Sequence, residues 1–265
     1  MRSLQLSARF RRSLKNRGFL GSLGHYSVRA YRIFRPFRLE PHPFDLKHGV
    51  HTTAHILGSD LATGHAHDIY NTVYLPSHPS MVSSCIDVWR SFLASSDLPI
   101  EDYSFVDLGA GMGRAIMVAS LYPFREVVGV EMNPGLGDQA RRNLAIWLGT
   151  PRACNNLRVA TCDATEFSWP RTPLAIYMFN PFEEPVLVEL LSSLERALVD
   201  GAGPIDILYV YPAYTAWLEA HPQARLIART HAYLSEEDRA IDPYNDPKAE
   251  KYSVDFHIYR FEAAS

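Results

Sequence analysis

The sequence predicts an α/β protein built on a mostly parallel sheet, and three observations predict it. Short apolar runs at 103–108, 126–131, 159–163, 174–179 and 205–211 alternate with stretches of helical periodicity. The first run feeds a glycine-rich turn, Gly109-Ala110-Gly111-Met112-Gly113, and a helix pattern follows at once from Arg114. Asp107, Glu131 and Asp163 stand at or near the ends of three successive runs, where the crevice of a doubly wound sheet opens.

The chain has 265 residues, 47% hydrophobic with 18 prolines. That is enough for one large α/β domain with an appendage, but not for two full domains. The expected division is a basic arm at 1–40, a lead-in with a first helix at 41–97, and the main domain at 98–265. Residues 1–38 carry ten Lys or Arg and no acid, leaving 16 basic and 29 acidic residues in 39–265. The net charge of -3 therefore hides a strongly positive arm on an acidic body. Aromatic and aliphatic residues interleave with these charges, which suits an anionic membrane surface or a nucleic-acid backbone. An organellar presequence and an arm packed on the protein's own acids are the other readings. With 3 cysteines, no Cys-x-x-Cys pair and no run of 18 apolar residues, neither a disulfide framework, a zinc ribbon nor a membrane span is expected. A soluble, cytoplasmic protein follows as the expectation, with peripheral membrane association left open.

Residues 40–79 hold seven of the 11 histidines. His51 and His55 lie one helical turn apart, and His65-Ala66-His67-Asp68 has ligand-bearing side chains, but no Glu follows His51 and glycines at 49, 58 and 64 interrupt any helix. No metal is expected on that spacing. Ser80 is placed to cap a helix with Met81, Cys85, Val88, Trp89 and Phe92 along one face, widened by Val82, Ile86 and Leu93. It should stop before Asp97.

The run at 103–108 should be the central strand, and its loop offers backbone N–H groups to an anionic ligand at a helix N-terminus. A dinucleotide fingerprint needs a third glycine where this chain has Arg114. The alternating glycines 109, 111 and 113 after Asp107 instead resemble the first motif of class I S-adenosylmethionine-dependent methyltransferases. That resemblance implies a loop around the methionine half of S-adenosylmethionine, with Asp107 anchoring the loop or the ammonium. Ala110 completes the loop. Glu131-Met132 then matches the ribose-binding position and Asp163-Ala164 the adenine-contacting one. The alternatives are a surface glutamate at 131 and a cap or turn aspartate at 163.

Asn133 and Pro134 start a helix whose Leu136, Ala140, Leu144 and Trp147 share a face. The apolar run 174–179 suits an interior parallel strand and ends in Asn180-Pro181-Phe182. This tripeptide resembles the element with which amino-group methyltransferases grip an acceptor nitrogen, although the second proline of the full version is missing. A strand-end turn is the alternative. A helix over 185–199, a strand at 205–211, a helical turn at 213–220 and two alternating strands at 225–234 and 252–261 complete the chain, with 235–251 read as a loop. The resemblance implies a Rossmann-like class I methyltransferase fold: seven strands in the order 3-2-1-4-5-7-6, helices on both faces and an N-terminal extension. Residues 44–53 and 70–76 are similar to the lead-in of bacterial methyltransferases of unassigned substrate and of seven-strand protein lysine methyltransferases. There the lead-in forms a partial lid, which would turn Tyr74 toward the cofactor.

The implied function is methyl transfer to an amine nitrogen, protein lysine favoured, with Asn180, Pro181, Phe182 and Tyr74 at the acceptor. A small-metabolite or nucleic-acid amine is the second reading. A non-catalytic cofactor-binding or assembly module is the third.

Overall fold

Five parallel strands form the centre of the structure: β1 (Ser104–Leu108), β2 (Glu126–Val130), β3 (Leu157–Ala160), β4 (Leu174–Met178) and β5 (Ile205–Val210). Two further strands, β6 (Ala224–Tyr233) and β7 (Ser253–Phe261), close the sheet antiparallel, and the order is β3-β2-β1-β4-β5-β7-β6. This is the order expected above. The computed structural model describes residues 40–93, 98–241 and 253–262. The chain divides into two units, Met1–Glu40 and Pro41–Ser265, so the arm at 1–38 lies outside the described residues, as do 94–97 and most of the expected loop at 242–252.

The composition of the strands explains their depth. β1, β4 and β5 are buried at every position, because helices cover both faces and no position can be left polar-out. On one face, β1 and β4 present Phe105, Ala175 and Tyr177 to α2 (Pro79–Leu93), α3 (Arg114–Ala119) and α4 (Pro134–Trp147). On the other, Val106, Ile176 and Ile207 meet α5 (Glu184–Val199) and Leu218 of α6 (Thr215–Ala220). A first short helix, α1 (Pro43–His48), belongs to the lead-in, and Gly49 ends it at φ 68.

Several boundaries differ from the sequence reading for physical reasons. β3 begins at Leu157 and ends at Ala160, two to three residues earlier than its apolar pattern suggested, because its register with β2 pairs Val127 with Leu157. Ser80 lies inside α2 instead of capping it, and its N–H and O–H both donate to Asp238. Met81, Cys85 and Trp89 of the expected face are buried together with Val82, Ile86 and Leu93, while Phe92 is turned to solvent. The segment read as a loop after 234 contains α7 (Glu236–Ile241), which carries Asp238 to the start of α2. By contrast Asn133 does start α4, its Oδ1 accepting the Leu136 N–H at 3.0 Å, and Pro134 takes the first turn.

A buried ion pair fixes the antiparallel edge. Asp206 on β5 is 1% exposed and accepts two hydrogen bonds from Arg260 on β7, at 2.7 and 2.9 Å, and one from the Trp89 indole at 2.9 Å. The two guanidinium bonds form a fork of the kind that offsets desolvation best. The three cysteines are free thiols. Among the described residues no helix is long and apolar enough to cross a membrane.

Candidate cofactor and acceptor site

The glycine loop sits at the carboxyl end of β1, in the middle of the sheet, and leads into α3. Gly109 and Ala110 donate their N–H groups to the Val130 carbonyl at 2.9 and 3.0 Å, which fastens the loop to the end of β2. All three glycines have positive φ: 73° at Gly109, 54° at Gly111 and 87° at Gly113. The sequence argument reserved that space for a ligand, but much of it is filled by protein. A Cβ on Gly111 would strike the Tyr74 ring, and one on Gly109 would come within 2.6 Å of the Pro181 Cβ. Glycine is therefore required here both by the left-handed backbone and by the lead-in and strand end packed against the loop.

Two acids face this loop. Asp107, on β1, is 4% exposed, and Glu131, just beyond β2, is 7% exposed. Glu131 accepts the Gly111 N–H through Oε2 and the Asn133 N–H through Oε1, each at 2.8 Å. Burial pushes the Glu131 carboxyl up while these two amides pull it down, with burial dominating. Asp107 has no such relief. Burial, reinforced by the negative charge of Glu131, pushes its carboxyl up to about 8. Among the described residues no cation pairs with either acid. Met132 follows Glu131 half-buried, and Ala110 is buried beneath the loop.

Arg114, at the first turn of α3, explains why the dinucleotide spacing fails. Its side chain is 3% exposed and reaches the lead-in, donating to Thr52 Oγ1 at 2.6 Å, Thr53 Oγ1 at 2.9 Å and Asp45 Oδ1 at 3.3 Å. Burial pushes the Asp45 carboxyl up, but Arg114 and the Thr52 and Thr53 hydrogen bonds outweigh it and hold it below the ordinary aspartate value. The lead-in is thus tied to the helix that follows the cofactor loop. Tyr74 completes the tie: its O–H donates to the Thr52 carbonyl at 2.7 Å, so its ring covers Gly111 with the hydroxyl already engaged.

Asn180-Pro181-Phe182 stands at the carboxyl end of β4, next to the loop. Asn180 has φ 47, a left-handed conformation that asparagine tolerates better than most side chains. Its Oδ1 accepts the Tyr209 O–H at 3.2 Å. The Thr72 hydroxyl is 3.0 Å from both the Asn180 and Pro181 carbonyl oxygens, and the Thr72 N–H donates to the latter at 3.3 Å. A bridge between Asn71 and Phe182 continues this pairing. Sequence reasoning singled out Tyr74 but passed over Thr72 two residues before it, and it missed Tyr209 entirely. Contacts across 29 and 108 residues leave no local signal.

Asp163-Ala164 lies past the end of β3. Asp163 caps the 3-10 turn Ala164–Glu166, its Oδ1 accepting the Thr165 N–H and O–H at 2.7 and 2.6 Å, while Oδ2 meets His67 Nδ1 at 2.8 Å. Burial raises its carboxyl, yet these bonds hold it below the ordinary value. The structure therefore gives Asp163 a cap role.

The strand order and the antiparallel last pair are those of class I methyltransferases. The chain has that fold. Comparison with solved structures finds a likeness to, among others, a Thermoplasma acidophilum protein (14% identity, TM-score 0.47, 69% of this chain and 89% of that one); the magnesium protoporphyrin IX methyltransferase of Synechocystis with bound S-adenosylmethionine (11%, 0.45, 69% and 80%); and a precorrin-6y methyltransferase from Geobacter metallireducens (18%, 0.44, 67% and 88%). No family model and no curated protein matches the sequence. Likeness of that size carries no weight for activity or substrate, which rest on the residues of the site.

Proposed function

We propose that the protein is an S-adenosylmethionine-dependent methyltransferase acting on an amine nitrogen, with protein lysine the favoured acceptor. The observation that carries the first part is the buried pair Asp107 and Glu131 on either side of a left-handed glycine loop. Two carboxyls held this close in a dry site repel each other, and the described residues supply no cation. A ligand with an ammonium to lie by Asp107 and a diol to donate to Glu131 fits that charge pattern. A dinucleotide, with its two phosphates, would add negative charge instead. Each Glu131 oxygen already accepts one amide and keeps a further lone pair.

When bound, the cofactor supplies an electrophilic methyl group. The chain's own residues then have to orient the acceptor and keep water out. The Asn180 side-chain oxygen and the Pro181 carbonyl each accept hydrogen bonds from Tyr209 or Thr72, and each keeps acceptor capacity for an amine N–H. Tyr209 and Thr72 hold these oxygens in place. Phe182 and the Tyr74 ring line the same strand ends, which favours the neutral form of an amine by desolvation. An amine held by Asn180 and Pro181 would present its lone pair to that methyl group, and the proton released from nitrogen would pass to solvent.

The test begins with the protein, radiolabelled cofactor and fractionated cell extract, sorting label into protein, nucleic acid and small molecules. Label in protein lysine supports the reading; label in nucleic acid or a metabolite supports the second acceptor class, and none in any fraction leaves a binding module. With a substrate in hand, Asn180→Ala should lower turnover by about 10²-fold while cofactor affinity stays within about twofold, the pattern of an interaction used in catalysis. Full activity in the folded variant removes Asn180 from the mechanism.

A further inference from the structure

The glycine loop and the acceptor element stand where the parallel strands end; the opposite edge, where β1, β2 and β3 begin, has a character of its own. Three stretches of chain are tied together there. The Ala153 and Cys154 N–H groups donate to the Ser120 carbonyl at 3.0 and 2.9 Å, the Val127 N–H to the Asn156 carbonyl at 2.9 Å, and the Arg125 N–H to the Tyr103 carbonyl at 2.9 Å. The end of α4 joins them, because Arg152 Nη1 donates to the Leu148 and Thr150 carbonyls at 3.0 Å each. Trp147 is buried beneath, its indole N–H on Ser120 Oγ at 2.9 Å.

Apolar side chains occupy the surface of this corner. Leu121 is 46% exposed, Ile146 46% and Leu148 57%, and Pro151 and Ala153 are exposed beside them. At 3.6 residues per turn, Arg142, Ala145 and Gly149 fall on the same side of the chain as Ile146, and all three are exposed. Single exposed leucines are ordinary, but a group of them with a polar rim marks an interaction surface. The rim here is basic. From Gln139 to Cys162 the chain has four arginines and no acid. Arg141 and Arg158 are matched by Asp138 at 2.8 Å and Glu126 at 3.2 Å. Among the described residues no carboxylate pairs with Arg125, Arg142 or Arg152.

We propose that this corner is a docking surface for an anionic lipid bilayer, with Leu121, Ile146 and Leu148 entering the interface and Arg125, Arg142 and Arg152 meeting lipid phosphates. The charge pattern selects this occupant. The chain's own segment 1–38, with ten basic residues and no acid, is repelled by such a rim. A symmetric pair of chains would set two basic rims against each other. A nucleic acid gains from the arginines and nothing from the aliphatic side chains, whereas a bilayer interface takes both. Docked in this way, the protein keeps the carboxyl edge of its sheet toward water. The proposal does not depend on the methyltransferase reading.

The test sediments the full chain with phosphatidylcholine vesicles, with and without phosphatidylglycerol. Binding is expected to the anionic vesicles alone and should weaken as salt rises. Ile146→Glu/Leu148→Glu should weaken it by about tenfold or more, since apolar burial and charge act together at such an interface. Arg125→Gln/Arg142→Gln should weaken it by about fivefold for each charge removed. Ile69→Glu, a similarly exposed apolar residue of the lead-in, should bind as the wild type does. Melting temperatures identify any variant that has not folded, and if the glutamate pair has not, the arginine pair decides. No binding to anionic vesicles, equal binding to neutral ones, or binding unchanged in a folded double variant overturns the proposal. A dimer or nucleic-acid retention that the glutamate pair abolishes while lipid binding stays the same also overturns it, and assigns the corner to that partner.

Discussion

Asp206 and Asp107 are both buried aspartates on interior strands of one sheet, and the fold completes only the first. Asp206 meets a guanidinium fork and an indole N–H from β7 and α2, so its charge is balanced within the chain. Asp107 meets Glu131 instead, and its carboxyl is pushed up to about 8. The difference separates an acid that holds the structure together from one arranged for something outside it. Perturbed groups without a structural partner cluster at functional sites, and this one lies beside the glycine loop.

The comparison breaks most visibly at Asp206. Asp206→Ala leaves the buried Trp89 indole N–H and the half-buried Arg260 guanidinium without their acceptor and should destabilise the protein by about 2–3 kcal/mol in denaturant unfolding, the range for leaving buried donors unpaired. A loss below about 1 kcal/mol would mean that Arg260 escapes to water, since exposed pairs contribute that little.

Glu131→Ala sharpens the contrast from the other side. It removes an acceptor from two buried amides and from the expected ribose. Calorimetry should show S-adenosylmethionine binding weakened by about 1.5–3 kcal/mol, the range for hydrogen bonds to a charged group. Equal affinity, or tighter binding of NAD, would overturn the cofactor assignment.

The most gradual effect is in pH. The folded-state value for Asp107 lies above the ordinary aspartate value, so the folded protein binds the extra proton between about pH 4 and 8. Stability without cofactor should therefore fall as pH rises through that window, by at most about 1.4 kcal/mol per pH unit from this one group, and level off above it. In Asp107→Asn this part of the slope should vanish. An identical pH profile in the variant would show that Asp107 is neutralised by a partner after all.

These acids also mark how much was legible beforehand. Asp107 and Glu131 could be named because they follow apolar runs at fixed spacing from a glycine turn. Asp206 carried no signal, because its partners, Trp89 and Arg260, are 117 and 54 residues away. Tyr74 was placed at the cofactor loop by resemblance, but only packing shows that its ring occupies the space a Cβ on Gly111 would need. The histidines of 40–79 illustrate the limit best. Their spacing along the chain shows no partner outside their own segment. Asp163 joins His65 and His67 only when β3 is laid beside the lead-in.

The sequence by itself determined the seven strands, their order through the resemblance, and the glycine loop with its two acids, because periodicity and turn chemistry are written locally. Tertiary structure alone decided the charge balance: which buried acids find a cation in the chain, which carbonyls Thr72 and Tyr209 hold, and which histidines meet a carboxylate. Those depend on distances between segments far apart in sequence, and electrostatic and hydrogen-bond energies change over an ångström or two.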